Sequence, residues 1–227
     1  MMPPANERLL HAAENNDRKA ALQALRDGAN PHTSDPDGTT AAMWFAYHDN
    51  LEAVLHLIDY SPAIVSDVND VKQTPVLEFA KRHNWNAVVL MACIDKRILR
   101  YASADGFTAA MYFARSQRID ALHMVAMLDP DCLLHTNAMG TSAASLLGSW
   151  GNVDGIRLLL RVNPKIAKMQ VVLQVLHFAL VPPEVLLDMV AKLLVLGFER
   201  PLNIDDLLAF HGFTPEQLDA AIAKVRQ

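Results

Sequence analysis

The sequence predicts an all-α solenoid: about five helix–turn–helix repeats in a stack, closed by a helical C-terminal cap. Three observations predict it. Segments starting at Asp37, Val71, Asp105 and Met139 recur with a period of 34 residues and align without gaps over their first two dozen positions. Small residues fall in phase, with Ala46, Ala80, Ala114 and Gly148 at the tenth position and Ala53, Ala87, Ala121 and Gly155 at the seventeenth. The thirteenth position holds Asp49, His83, Gln117 and Gly151, with Asn16 in the equivalent place upstream. A tight turn between helices needs φ > 0, for which Gly is best and Asn, Asp and His are the tolerated substitutes.

Each segment reads as two short helices. Thr40, Thr74, Thr108 and Ser142 stand at the fourth position, where a hydroxyl can accept backbone N–H bonds at the start of the first helix. Pro75 follows in one repeat and suits a first helical turn. Apolar residues then recur at helical spacing, as in Ala42, Phe45 and Ala46, then Ala53, Val54, Leu57 and Ile58. Helices shorter than about 12–15 residues are marginal alone, so burial must come from stacking on neighbouring repeats. The small tenth and seventeenth residues allow the paired helices to approach closely. After each second helix comes a turn led by Pro or Asp, then an apolar pair such as Ile64-Val65, Ile98-Leu99 or Leu133-Leu134, read as a hairpin-like link.

The phase is lost after residue 170. Residues 171–180 and 184–197 read as an antiparallel apolar helix pair broken by Pro182-Pro183. Asn203 can cap a helix over 204–210 that His211-Gly212 ends, and Thr214-Pro215-Glu216-Gln217 opens the last helix as a capping box. A solenoid needs an atypical terminal unit to cover its apolar end, which assigns 171–227 to a cap.

These segments resemble the ankyrin-repeat family, whose pattern is D-G-x-T-P-L-H-x-A-A, a Gly-centred turn, a leucine-rich second helix and a projecting loop. The resemblance covers residues 7–170, with repeats near 7–36, 37–70, 71–104, 105–138 and 139–170. The first is degenerate and keeps the loop start Gly28-Ala29-Asn30. Met43, Leu77, Met111 and Ser145 stand where the family has His, and Phe45, Phe79 and Phe113 replace a small Ala. The resemblance implies a protein–protein interaction module whose partner meets the concave face, made of loop tips and the exposed side of each first helix.

Composition agrees with a globular binder. Of the 227 residues 52% are apolar and 20% charged, too apolar for a disordered chain, and the net charge of −5 gives no global attraction to nucleic acid. Two cysteines build no disulfide framework, and Cys93, inside the run Val88–Ile94, reads as a small buried thiol. The opening Met1–Arg8 has no apolar signal region, and the greasiest stretch, 171–198, is interrupted by prolines and charges, so the expectation is a cytoplasmic chain without a membrane span. Delivery into another cell as an effector is the alternative setting.

No constellation suggests catalysis. Asp129, Asp131, Cys132 and His135 lie close in sequence, but no second ligand pair completes a zinc site. Gly148-Ser149-Trp150-Gly151 lacks the spacing of a nucleophile elbow, and no phosphate-cradling or dinucleotide motif occurs. The expectation is a non-enzyme without cofactor or metal.

The partner-facing positions are the third, eleventh and twelfth of each repeat. They select Thr39, Tyr47, His48, Gln73, Lys81, Arg82, Phe107, Arg115 and Trp150 as the binding residues, a composition rich in the types that dominate binding energy. Residues 71–118 hold eight Lys/Arg against three Asp/Glu, which favours a protein or peptide partner with an acidic patch. The reading is an adaptor. A translocated bacterial effector or immunity-type inhibitor is the rival, and an enzyme with a hidden C-terminal site the more distant one; the oligomeric state is open.

Overall fold

In the computed structural model, which describes residues 3–171, 174, 175 and 182–226, helices pair in chain order as the 34-residue period requires. By internal packing the chain divides into two units, Met1–Tyr112 and Phe113–Gln227.

The first unit contains α1 (Ala5–Glu14), α2 (Arg18–Arg26), α3 (Ala41–Tyr47), α4 (Leu51–Tyr60), α5 (Pro75–Lys81) and α6 (Trp85–Ile94). Helix α1 packs on α2, α3 on α4 and α5 on α6, while α1, α3 and α5 lie side by side. Phe45 and Phe79 fill this core, and Met43 and Leu77, at the family's His position, are buried with them. The second unit continues the pattern with α8 (Ile119–Leu128), α9 (Ala143–Ser149) and α10 (Val153–Val162), and α7 (Ala109–Arg115) straddles the boundary.

The starts of the first helices explain their shortness. Thr74 Oγ1 accepts the Leu77 N–H at 3.2 Å, Thr108 Oγ1 the Met111 N–H at 3.4 Å, and Ser142 forms a capping box with Ser145. Thr40 departs from the expectation, because its hydroxyl caps nothing. The turn prediction holds at all five places: φ is +56° at Asn16, +57° at Asp49, +62° at His83, +57° at Gln117 and +75° at Gly151. Gly38, Gly106 and Gly140 take the other left-handed position, at the loop tips, where Lys72 stands in one repeat at φ +58°.

Three of the second helices begin at an Asn that acts twice. Asn50, Asn84 and Asn152 cap α4, α6 and α10 through Oδ1, at 3.0, 3.1 and 2.8 Å from the N–H three residues on. Their Nδ2 atoms donate to the turn residue of the preceding repeat: Asn50 to Asn16 and Asn84 to Asp49 in the first unit, Asn152 to Gln117 in the second, at 2.7, 2.7 and 2.8 Å. Arg118 holds this position before α8 and offers no cap.

Three further expectations need correction. The links are 3₁₀ turns rather than hairpin-like loops, at Pro62–Ser66, Lys96–Arg100, Pro130–Leu134 and Pro164–Lys168. The pair they bury in the third link is Cys132 and Leu133, not Leu133-Leu134, in phase with Ile64-Val65 and Ile98-Leu99. Cys93 is exposed, because α6 turns Ala87, Val88, Met91 and Ala92 inward and leaves Leu90, Cys93 and Ile94 outside.

In the C-terminal region the expected helix over 171–180 lies largely outside the described residues. The others are α11 (Pro183–Val195), α12 (Ile204–Phe210) and α13 (Pro215–Val225), with α11 packed on α13. The capping box at Thr214 and Gln217 is present, whereas the Asn203 side chain makes no cap bond. No helix among the described residues is long and apolar enough to cross a membrane.

Candidate functional site

In the first unit the candidate surface starts at the loop tips. Gly38 leaves little room for a side chain: a Cβ there would lie 3.2 Å from the Asn69 Cα and 3.3 Å from the Asp70 nitrogen, on top of its left-handed φ. The close approach lets the Asp70 N–H reach the Asp37 carbonyl at 3.2 Å, joining consecutive tips. Asn69 then ties the tips to the helices, donating to Thr39 Oγ1 at 3.2 Å and accepting the Gln73 N–H at 2.7 Å.

Behind these tips α3 and α5 wall an open groove of about 330 Å³, lined by Thr39, Met43, Trp44, Tyr47, Asn69, Gln73 and Glu78. Tyr47, 49% exposed, is its outer wall. Its ring is met edge-on by Trp44 at 6.1 Å and by His48 at 5.3 Å, and the Arg82 guanidinium lies over it, 4.5 Å from the centroid. A cation over an aromatic face is attracted by the ring quadrupole and loses little hydration.

The two cations of α5 and its C-terminus differ. Lys81 Nζ donates to Gln73 Oε1 at 2.6 Å and to Glu78 Oε1 at 2.9 Å, so its charge is neutralised within the protein. Arg82 is exposed and has no carboxylate within salt-bridge distance among the described residues. The basic band read from the sequence is thinned elsewhere too, since Arg97 is bound to Asp95 at 2.9 Å.

The structure therefore brings Thr39, Tyr47, Gln73, Lys81 and Arg82 around one groove. His48 borders it, but its ring Nε2 is engaged by the Glu14 carbonyl at 2.8 Å and serves repeat stacking. Phe107 is not a wall of the groove; it is half-buried against Tyr112, with ring centroids 5.5 Å apart. In the second unit Arg115 is exposed and Trp150, 50% exposed, closes α9 as its C-cap.

Sequence reasoning missed a hydrogen-bonded chain at the back of the first unit. His32 Nδ1 lies 2.9 Å from Asp67 Oδ1 and its Nε2 2.8 Å from Ser61 Oγ, an order that resembles a nucleophile triad. The residue after Ser61 is Pro62, which has no N–H to stabilise an oxyanion. The same link recurs elsewhere, as Ser66 Oγ donating to Asp95 Oδ2 at 3.4 Å. The motif is a staple between successive links. Asp67 is pushed above the usual carboxylate range by burial, opposed by His32 and Thr40, and its Oδ2 and the Thr40 hydroxyl lack a well-formed partner.

A second depression, of about 540 Å³, lies on α1 and α2 and is lined by residues including Glu7, Arg8, His11, Asn15 and Gln23. Arg8 is held there by Asp27 at 2.8 Å. Among the described residues no three His, Cys, Asp or Glu side chains converge to hold a metal ion.

A family model described as ankyrin repeats (3 copies) matches residues 9–100, which hold the second half of α1, all of α2 to α6 and the groove. No curated protein matches the chain. Residues 9–100 are ankyrin repeats and the fold is an all-α repeat fold, of a kind that generally serves protein–protein interaction.

Proposed function

We propose that this ankyrin-repeat chain is an adaptor that holds a segment of a partner protein against the concave face of its repeats. The observation that carries the reading is the Tyr47–Arg82 pair beside the groove: an exposed aromatic ring, a cation without a carboxylate partner among the described residues and a concavity meet on the loop-tip side of α3 and α5. Exposed Tyr, Trp and Arg at the rim of a pocket are the usual carriers of binding energy. Thr39, Gln73 and Lys81 supply polar contacts around it, and His48, Phe107, Arg115 and Trp150 belong to the same positions of the repeat. A partner with an acidic patch fits Arg82. Fold alone names no partner.

The test is affinity capture with the wild-type chain and with Tyr47→Ala combined with Arg82→Glu. Both side chains are exposed, so the variant should melt within a few degrees of wild type, a shift on the order of 1 kcal/mol. Capture of the wild-type partner should fall at least tenfold. A variant that retains its fold and captures the same proteins as before rules out this face.

A further inference from the structure

We infer that the groove and Arg82 together read a short extended motif: a large apolar residue and, two positions along, an Asp or Glu side chain. The inference rests on the concave-face reading and specifies its ligand. Tyr47 belongs to both halves, as a wall of the groove and as the ring beneath Arg82. One half takes an apolar side chain. Met43, Trp44 and Tyr47 provide the apolar walls, and a space of about 330 Å³ accommodates one large side chain rather than a helix. Its polar lining of Thr39, Asn69, Gln73 and Glu78 is already committed: Thr39 Oγ1 accepts from Asn69, and Gln73 Oε1 and the Glu78 carboxylate both accept from Lys81.

The other half takes a carboxylate. The Tyr47 ring holds the Arg82 guanidinium at 4.5 Å, which leaves the donors on its edges for a partner. A planar fork restrained in this way loses less freedom on binding a carboxylate than a free Arg or a Lys would. Charge complementarity singles out this residue, because Lys81 beside it is neutralised by Glu78. In an extended chain side chains i and i+2 point the same way, roughly 7 Å apart. A segment crossing Tyr47 can thus place one side chain in the groove and the next of that face at Arg82.

A phage-displayed peptide library selected on the full chain tests this, followed by fluorescence anisotropy with synthetic peptides. Selected peptides should share the apolar-x-acid spacing, and replacing the Asp or Glu by its amide should weaken binding at least tenfold. Arg82→Gln should abolish that difference while the thermal melt is retained. Arg82→Glu should turn the preference to Lys or Arg at the same spacing. Peptides selected without an acid, or an acid preference that survives in Arg82→Gln, overturn the motif while peptide recognition stands. If no peptide is enriched over the bare support, the motif and the concave-face reading both fall.

Discussion

Asp95 shows how a side chain's behaviour follows from its place in the repeat. It opens the 3₁₀ turn Lys96–Arg100, where its Oδ1 accepts the Arg97 N–H at 3.0 Å and its carboxylate grips the Arg97 guanidinium at 2.9 to 3.2 Å. The guanidinium, with the backbone bond behind it, holds the Asp95 carboxyl at about 2, below its ordinary 3.8. On acidification the unfolded chain takes up this proton first. The contribution is therefore complete above about pH 4 and is lost as pH falls through about 2. Asp95→Asn should lower stability at neutral pH by at most about 1 kcal/mol, because the Arg97 side of the pair is largely solvated. The deficit should shrink as pH falls from about 4 and vanish only below about 2 in urea titrations of both proteins; a deficit independent of pH would assign it to the cap bond alone. Asp67 has the opposite sign: burial raises it, so its contribution falls as pH climbs from the ordinary carboxylate value through the raised one. Side chains on well-patterned helices were legible from the sequence, but Cys93 was not. Its run from Val88 to Ile94 is apolar throughout, so no periodic contrast marks which side faces water. The cation–π pair was half legible: repeat position put Tyr47 and Arg82 on one face, while their contact depends on the spacing of α3 and α5.

At the scale of the element, most of the short helices are capped by side chains of the repeat itself. The left-handed turns were readable from residue type, as were the hydroxyl caps. The Asn rungs were not, because they join residues 34 or 35 apart and exist only once neighbouring repeats are in register. Helix α8 lacks this device. Arg118 occupies its N-cap at φ −84° and ψ 73°, close to the −93°, 77° of Asn50 and the −80°, 77° of Asn84. The backbone is thus already set for a capping side chain, and the N–H of Ala121 is the donor to be satisfied. Arg118→Asn should stabilise the protein by about 1 kcal/mol, the usual worth of an N-cap oxygen. Arg118→Ala is the control, with no gain expected. Equal melting temperatures for the Asn and Ala variants would show that water already satisfies the helix end.

For the molecule as a whole, the question is why one repeat position changes from alanine to glycine. The tenth position of the repeat is Ala46, Ala80 and Ala114, each fully buried, so the spacing between repeats has room for a methyl group. At the last repeat the same position is Gly148. A Cβ built there would lie 2.3 Å from Cγ2 of Val175, which is itself buried. Valine is stiff at χ1 and cannot swing its methyl aside in a packed site. Val175 therefore lies closer to α9 than an alanine at this position would allow, and the glycine makes room for it. The sequence showed the loss of phase after residue 170 but not this approach, because a Gly in an Ala column reads equally as drift. Gly148→Ala should destabilise the second unit by about 1–3 kcal/mol, as overpacking of a filled core does. Hydrogen exchange should quicken around Val175 and α9 before it does in α8. Adding Val175→Ala removes the clashing methyl and should recover part of the loss, although the same change alone destabilises. If the two substitutions simply add, the close contact is not what makes this position glycine.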